Sequence, residues 1–496
     1  MKKILFAIFV VGLAAQSCTK VNENVYDKYS ANQFYATSQG ADVALANVYK
    51  KITGDWGSNY AGRDNCWYDI NSFSADDQVI PNRNTGDWTN NDQEHVYAHD
   101  ELPNLGIINN TWQWCYSNIN SANTAITQLQ AAHADPSKIA EAKVMRAWLY
   151  YLLIDDFGSV PFFTDNSTPI AKIPQASRQT VFNFIVSELK ANVDLLSETR
   201  GGAYYGRFNK WAGYMALAKV YLNAGVYTGT PMWAEALAAC NTVASGGFTL
   251  HPGGANATSP LGYQYFELFG DVCPNDETIL AFSLTENVIS GNIYGIRGLN
   301  SPNGQYIMKQ NGWNGTIVLD QFYNKFDPTD IRRKQFLVGP QPDGTNYTLT
   351  LNSLVTPGAA PNEGIRDLKF YPVTPDDGSG ASNDFPVYRF ADVLLMEAEC
   401  NVRLGNASAA KPFVDQVRAR AGLNPLPASP TLTDIYNERG FELLYEGHRR
   451  QDMIRFGHFE DPREYITSAI PATQELFPIP TAAINANPSL KQNPGY

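Results

Sequence analysis

The chain of 496 residues is long enough to bury a large hydrophobic core, and 49 acidic against 37 basic residues give it a net charge of −12. Because no run of lysine or arginine interrupts this acidic background, we predict no nucleic-acid partner. Aromatic residues make up 12% of the chain and charged residues only 17%. This is more ring surface than the core requires, so we expect some rings to face a ligand.

The N-terminus carries a targeting segment. Lys2 and Lys3 form a basic start, residues 4–15 form an apolar stretch too short to span a bilayer, and small residues lead to Cys18. This arrangement is similar to a bacterial lipobox, although Ala15 stands where leucine or valine is usual. We predict a signal peptide at 1–17, lipidation of Cys18 and a lipidated tether at 18–30.

The remaining reactive residues form no catalytic or metal-binding motif. After Cys18 an odd number of cysteines is left, without CxxC spacing, and the six histidines form no ligand pattern. We therefore expect core cysteines and no disulfide framework, metal or cofactor. The stretch FDPTDIRRKQ places Asp327 and Asp330 beside two arginines, and we interpret it as a helix cap rather than a metal site.

Apolar residues at helical spacing predict a series of paired helices. Repetition of helix, short turn and helix is typical of stacked tetratricopeptide-like units. Trp112, Trp148 and Trp211 fall within these helices, and we predict that they belong to the core. The predicted helices are 32–52, 109–131, 137–157, 177–196, 209–223 and 232–245.

Two regions have few helix signals. Residues 53–105 are rich in Gly, Asn, Asp and Trp, and a segment of this length without regular structure is commonly functional. In residues 249–384, Gly, Pro and Asn separate short apolar runs such as ETILAFSL and GTIVLDQF, which predict brief strands.

The C-terminal region again predicts helices. The first opens after Pro386 and ends at Gly405, the second covers 409–421, and the third begins with Thr433 as its N-cap. On the third helix, acidic residues recur every four positions, which weakens a helix unless cations face them. These are Glu438, Glu442 and Glu446.

Arginines close in sequence are the natural partners of this acidic row. We interpret the whole as a structural ion network rather than as an acid–base pair. The candidate partners are Arg389, Arg418, Arg420, Arg439, Arg449, Arg450 and Arg455.

Three long strings in this region carry a family resemblance. They are YRFADVLLMEAE (388–399), ERGFELLYEGHRRQDMIRFG (438–457) and FPIPTAAINANPSLKQNPGY (477–496). Their content, order and spacing resemble the C-terminal signature of the SusD/RagB family, surface nutrient-binding lipoproteins of Bacteroidota. WQWCYSNINSANTAITQL, EAKVMRAWLYYLLIDDFGSVPFF and YGRFNKWAGYMALAKVYL look like helices of the same family, so the similarity covers nearly the whole chain.

The resemblance implies a mainly α fold, in which a tetratricopeptide-like helical-repeat scaffold supports an irregular lobe with a few short strands. We expect one SusD-like unit at 31–496, with the scaffold at about 31–52, 106–245 and 386–496 and the lobe at about 53–105 and 249–385. It also implies capture of an oligosaccharide and its delivery to a SusC-like TonB-dependent transporter. The protein would be lipid-anchored in the outer membrane and face the cell exterior.

Two other functions are considered. Some relatives bind peptides, so a peptide or other nutrient is an alternative ligand. A secreted glycoside hydrolase would need two carboxylates flanking the bond to be cleaved. Asp76 and Asp77 are the best candidates, but adjacent residues normally point in different directions, and the sequence has no nucleophile or metal motif. We therefore predict a binding protein and not an enzyme.

The ligand site is predicted from aromatic residues in polar surroundings. Trp88 and Trp313 are each surrounded by Asn and Gly, with no apolar neighbours to bury them. In relatives that bind sugars, the site is an aromatic arc built from an early loop and a late loop, and these two segments occupy comparable places. We predict that Tyr294 and Tyr306 flank this arc. Asn91, Asp77 and Arg297 are the predicted partners of sugar hydroxyls.

Overall fold

The computed structural model describes residues 30–54, 58–83, 91–284, 291–352, 354, 359–372 and 380–496. Cys18 and Trp88 lie outside these residues, as does the side chain of Asn91. The described part is mainly helical, as predicted. Its α-helices are α1 (Ala31–Ala36), α2 (Ser38–Thr53), α3 (Trp67–Phe73), α4 (Asn91–Ala98), α5 (Gly106–Ala131), α6 (Pro136–Phe157), α7 (Arg178–Asn192), α8 (Lys210–Leu222), α9 (Ala224–Thr228), α10 (Trp233–Ala244), α11 (Tyr294–Gly298), α12 (Ser301–Met308), α13 (Asp320–Tyr323), α14 (Phe390–Arg403), α15 (Ala407–Arg420), α16 (Leu432–Glu442), α17 (Arg449–Phe456) and α18 (Thr481–Ala486).

The strands are short and pair only two at a time. Among the described residues they form the antiparallel pairs β1–β5, β2–β3, β4–β10, β6–β9 and β7–β8. The strands are β1 (Gln78–Val79), β2 (Val160–Pro161), β3 (Gln175–Ala176), β4 (Thr278–Phe282), β5 (Ile317–Val318), β6 (Phe336–Leu337), β7 (Gly339–Pro340), β8 (Asn346–Tyr347), β9 (Arg366–Asp367) and β10 (Phe385–Arg389). The strands predicted from ETILAFSL and GTIVLDQF are confirmed as β4 and β5.

Stacked helical pairs make up the scaffold. Helix α2 packs on α5, α5 on α6, α6 on α7, and α8 on α10, which leads to α14 and its partners α15 and α16. Trp112, Trp148 and Trp211 are buried, as predicted. One hydrophobic cluster extends from Ala41 to Leu490, so scaffold and loop-rich regions share a core. The single-unit organisation of 31–496 stays a prediction.

Most predicted helix boundaries lie within a few residues of the observed ones, and three of the differences have a clear physical cause. The first C-terminal helix begins at Phe390, because Phe385–Arg389 instead pairs with β4 and buries its apolar side chains. The N-cap of α16 is Thr431 rather than Thr433. The Thr431 hydroxyl accepts a hydrogen bond from the Asp434 amide, and the Asp434 carboxylate accepts one from the Thr431 amide. A long helix predicted at 32–52 is interrupted at Thr37, which caps α2.

The early aromatic residues belong partly to the core. Trp67 stacks on Tyr60 with ring centroids 4.6 Å apart, and Tyr60 also contacts Trp148 of the scaffold at 5.3 Å. Tyr68 and Tyr97 are buried as well. Residues 53–105 are therefore not a continuous loop, because α3 and α4 interrupt them, and Tyr68 of α3 contacts Phe385 of β10 with ring centroids 5.7 Å apart.

The acidic row is confirmed as the centre of an ion network, although it does not follow one helix face. Helix α16 ends at Glu442, and positive φ angles at Tyr445 and Gly447 carry Glu446 back towards the same cations. Arg389 bonds Glu442 at 2.9 Å and Glu446 at 2.6 Å. Burial alone would raise the pKa of Glu442, but the charges of Arg420 and Arg389 hold it below its usual range.

Cations from the loop-rich lobe also join the network, which the sequence did not indicate. Arg332 bonds Glu438 at 2.8 Å, and Lys369 bonds Glu446 at 2.6 Å. Of the predicted arginines, Arg389, Arg418 and Arg420 contact the acidic row, whereas the others serve further partners. Arg439 bonds Asp392 and Asp452, Arg455 bonds Glu399 and Asp452, Arg449 bonds Asp76, and Arg450 donates to the Glu475 carbonyl.

The five cysteines of the described residues are buried, as expected for core cysteines, and they are free. Within the same residues, no helix is both long and apolar enough to cross a membrane.

Glu442→Ala should lower the free energy of unfolding by about 3–5 kcal/mol, because it leaves buried arginines without their counter-charge. Urea denaturation measures the loss. Glu198→Ala is the matched control: its carboxylate is 65% exposed and bonds Lys210 at 2.8 Å, so the change should stay within about 1 kcal/mol. Equal stability of Glu442→Ala and wild type would contradict a structural role.

Candidate functional site

The structure joins the early and late loops in which the site is predicted. Strand β1 pairs with β5, with Gln78 opposite Val318 and Val79 opposite Ile317. Arg83, the last described residue before 84–90, donates from Nε to the Asn314 carbonyl at 3.0 Å. The segment that leads to Trp88 therefore starts beside the residue that follows Trp313.

Residues 311–315, which we call the Trp313 segment, lie along the backbone of α11 and of the residue that follows it. The amides of Trp313, Asn314 and Gly315 donate to the carbonyls of Ile296, Leu299 and Arg297 at 2.9, 2.8 and 2.7 Å. At Gly312 a Cβ atom would lie 2.2 Å from the Leu299 carbonyl oxygen, so only glycine fits this approach. These contacts fix the backbone that carries the indole of Trp313.

The surface of the site is aromatic and polar. The Trp313 side chain is half-buried against the core, and Tyr306 is 51% exposed on α12. Helix α12 lies against the Trp313 segment, because Gln305 Nε2 and the Ser301 hydroxyl reach Asn311 Oδ1 at 2.9 and 3.1 Å. Polar side chains of α12 and of the Trp313 segment therefore lie next to each other, on the same two elements that carry Tyr306 and Trp313.

Tyr294 and Arg297 lie beneath this surface rather than on it. The Tyr294 hydroxyl accepts from the Gly62 amide at 2.7 Å, and its ring lies 4.5 Å from that of Tyr68. Arg297 is fully buried and bonds Asp69 at 2.7 Å. Their position corrects the predicted arc: both side chains support α11, on which the Trp313 segment rests.

Asp77 is also buried, and its backbone carbonyl accepts from the Leu319 amide at 3.3 Å. Burial raises the pKa of the Asp77 carboxyl to about 7, and the charge of Asp76 adds to the shift. Asp77 thus lies at the junction of the two loops and does not face the surface. Of the residues predicted to contact the ligand, Trp313 and Tyr306 are accessible. The roles of Trp88 and Asn91 stay predictions.

The pair Asp76 and Asp77 does not have the geometry of a hydrolase. The Asp76 carboxylate lines a cavity of about 250 Å³, but Arg449 holds it with bonds of 2.6 and 3.0 Å. Burial acts to raise the pKa of Asp76, yet this guanidinium keeps it well below its usual range. A glycoside hydrolase needs two carboxyl groups that face the substrate from opposite sides. Here Asp76 is ion-paired and Asp77 is buried.

Comparison with known proteins identifies the family. Residues 232–496 match the model of the SusD family, and residues 37–222 match a model described as starch-binding associating with outer membrane. The chain belongs to the SusD family. It is 24% identical to starch-binding protein SusD of Bacteroides thetaiotaomicron, over 72% of each chain, and 24% identical to SusD-like protein P38 of Formosa agariphila, over 99% of this chain and 98% of that one.

Solved structures of SusD-like proteins share the fold. A laminarin-binding SusD-like protein superposes with a TM-score of 0.73 and 25% identity, over 93% of this chain and 100% of that one. Surface glycan-binding protein A of Bacteroides thetaiotaomicron, in complex with laminarihexaose, has a TM-score of 0.73 and 21% identity, over 92% and 99% of the two chains. The predicted mainly helical SusD-like fold is confirmed.

Asp77→Asn should make stability less dependent on pH. In the folded protein Asp77 keeps a proton that the unfolded chain has already released, so its contribution to wild-type stability falls as the pH rises from 3.8 to about 7. Asparagine does not titrate, so the variant lacks this fall in stability. The unfolding free energy of the variant minus that of wild type should therefore increase across this window, by at most about 1.4 kcal/mol per pH unit. Urea denaturation at pH 5 and pH 8 measures it.

Asp327→Asn is the control for this experiment. Asp327 is exposed, and its bonds to Thr329 lower its pKa, so it titrates below the window tested. The free energy of unfolding of Asp327→Asn should differ from that of wild type by the same amount at pH 5 and pH 8. If Asp77→Asn also differed from wild type by the same amount at both pH values, the assignment of a buried, protonated Asp77 would fail.

Proposed function

We propose that this SusD-family protein is a cell-surface lipoprotein that binds an oligosaccharide through the Trp313 segment and delivers it to a SusC-like TonB-dependent transporter. The observation that carries the proposal is the combination of half-buried Trp313 with exposed Tyr306 and Asn311, on a backbone that hydrogen bonds fix. Likeness to a laminarin-binding SusD-like protein supports the ligand class.

The chemistry of this surface suits a sugar. Sugar rings present apolar C–H faces edged with hydroxyl groups, and a binding site therefore needs flat aromatic faces beside short polar side chains. Trp313 and Tyr306 supply the rings, while Asn311, Gln305 and Ser301 supply donors and acceptors at the protein surface. No charged side chain is required for this recognition.

Anchoring and delivery rest on other features. Cys18 follows a signal-like segment, and residues 37–222 match a family model described as associating with the outer membrane. The stacked helices offer a broad surface for a transporter. A peptide ligand is the alternative within the same family, and no contact of the site specifically favours it.

Trp313→Ala should lower the affinity for a bound oligosaccharide roughly 30-fold, since loss of a stacked indole removes about 2 kcal/mol. With Trp88→Ala added, binding should become undetectable. Laminarihexaose is the first probe for calorimetry with residues 19–496, and a glycan array extends the search if it does not bind. The melting temperature should stay near that of wild type, because the Trp313 ring is only half-buried.

Trp233→Ala is the matched control for this variant. Trp233 is also half-buried, but it lies on α10 with the guanidinium of Arg403 over its ring at 4.5 Å. This control should bind the oligosaccharide like wild type. Unchanged affinity of the Trp88, Trp313 double variant would place the site elsewhere, and binding of a peptide pool but of no glycan would support the alternative ligand.

Cys18→Ala should release the protein from the membrane fraction, because one lipidated cysteine is the predicted anchor. Fractionation of cells that lack the transporter measures this, and purification of the wild type in mild detergent should recover a β-barrel partner. Retention of Cys18→Ala in the membrane fraction without the transporter would contradict lipid anchoring.

A further inference from the structure

Asn314, the residue directly after Trp313, has an unusual backbone conformation. Its φ angle is 56°, in the left-handed region that non-glycine residues seldom adopt. Its side chain is buried, and its amide donates to the Leu299 carbonyl at 2.8 Å. Such a conformation persists only where surrounding contacts hold it.

Arg366 holds the side chain of Asn314. The guanidinium is fully buried, and Nη2 donates to Asn314 Oδ1 at 2.7 Å. Further bonds go to the carbonyls of Pro361, Glu363 and Gly364 at 2.7–2.9 Å. Arg366 therefore ties the Trp313 segment to residues 361–364 of another loop.

Arg83 holds the backbone of the same residue. Its Nε donates to the Asn314 carbonyl at 3.0 Å, Nη2 donates to the Glu363 carbonyl at 2.9 Å, and Nη1 contacts the Ala360 carbonyl. Asn314 is thus held by one arginine through its side chain and by a second through its backbone. Together they join the loops at 78–83, 311–315 and 359–366.

We propose that Asn314 is a positioning residue, which Arg83 and Arg366 hold in the left-handed conformation so that the indole of Trp313 keeps one direction in the absence of ligand. The φ of Asn314 sets the path of the chain on one side of Trp313, while the amide of Trp313 is fixed on Ile296. A ring ordered in advance loses less conformational freedom on binding, so affinity rises without a new contact. This inference rests on the proposed function of Trp313.

The test compares substitutions of Asn314 in calorimetry with laminarihexaose or the glycan that the array identifies. Asn314→Ala removes the acceptor for Arg366 and disfavours positive φ, and affinity should fall about 10-fold. Asn314→Gly also removes the acceptor but permits this φ, so it should fold even if the alanine variant does not, and should likewise lose affinity. Asn314→Asp keeps an oxygen for Arg366 and should bind within about 2-fold of wild type.

Two further measurements separate positioning from a general structural role. In the double variant with Trp313→Ala, the Asn314→Gly change should cause no additional loss, because there is no ring left to position. Hydrogen exchange of the amides of Trp313, Asn314 and Gly315 should become faster in Asn314→Gly. His133→Gly is the control: it also replaces a positive-φ residue (51°), at the exposed end of α5, and should leave affinity unchanged.

The outcomes distinguish this inference from the proposed function. If Trp313→Ala binds like wild type, the site itself is wrong. If Trp313→Ala loses affinity but Asn314→Gly does not, the site stands and the positioning role of Asn314 is overturned. An additional loss in the double variant would also overturn it, because Asn314 would then act independently of the ring.

Discussion

The buried ion network around Arg389 is the constraint on which the rest of the structure depends. Arg389 stands between the carboxylates of Glu277, Glu442 and Glu446, each fully buried or nearly so. Glu277 precedes β4 and Arg389 ends β10, while Glu442 ends α16 and Glu446 follows it. The network therefore sets the position of the only five-residue strand pair of the described residues against the C-terminal helices.

Such a network specifies a structure more than it stabilises it. Removing two charges from water costs free energy that their attraction recovers only with good geometry, so apolar residues of similar volume would often serve stability as well. An ion network, however, accepts few alternative arrangements, because any shift leaves a buried charge without a partner. Arg332 and Lys369 bring the loop-rich lobe into the same arrangement, and the lobe carries the Trp313 segment.

The scaffold helices could be predicted because the signals that specify a helix lie within the helix itself. The boundaries of α5, α6, α8 and α10 differ from prediction by few residues, since periodicity, caps and glycines act within the segment itself. The start of α14 was missed because Pro386–Arg389 becomes a strand only by pairing with β4, more than a hundred residues earlier. Strand pairing over this distance cannot be predicted from the sequence of one segment alone.

The site was only partly predictable for the same reason. The polar neighbours of Trp313 predicted a ring that is not fully buried, and the structure agrees, but Tyr294 has similar neighbours and is buried, because Tyr68 and Phe385 come from distant segments to cover it. The positive φ of Asn314 is only weakly indicated by the sequence, because asparagine between glycine-rich neighbours often adopts this conformation. Nothing in the sequence indicates that Arg83 and Arg366 contact this residue.

Buried arginines have two different roles in this protein. In the ion network they neutralise carboxylates, whereas Arg83 and Arg366 donate to carbonyl oxygens of loops that have few strand partners of their own. An irregular backbone must still satisfy its buried carbonyls, and a guanidinium with several donors in one plane can serve three loops at once. The rigidity of the lobe then depends on interior arginines rather than on its surface residues. Substitution of surface residues such as Tyr306 and Asn311 should therefore leave the support of the Trp313 segment unchanged.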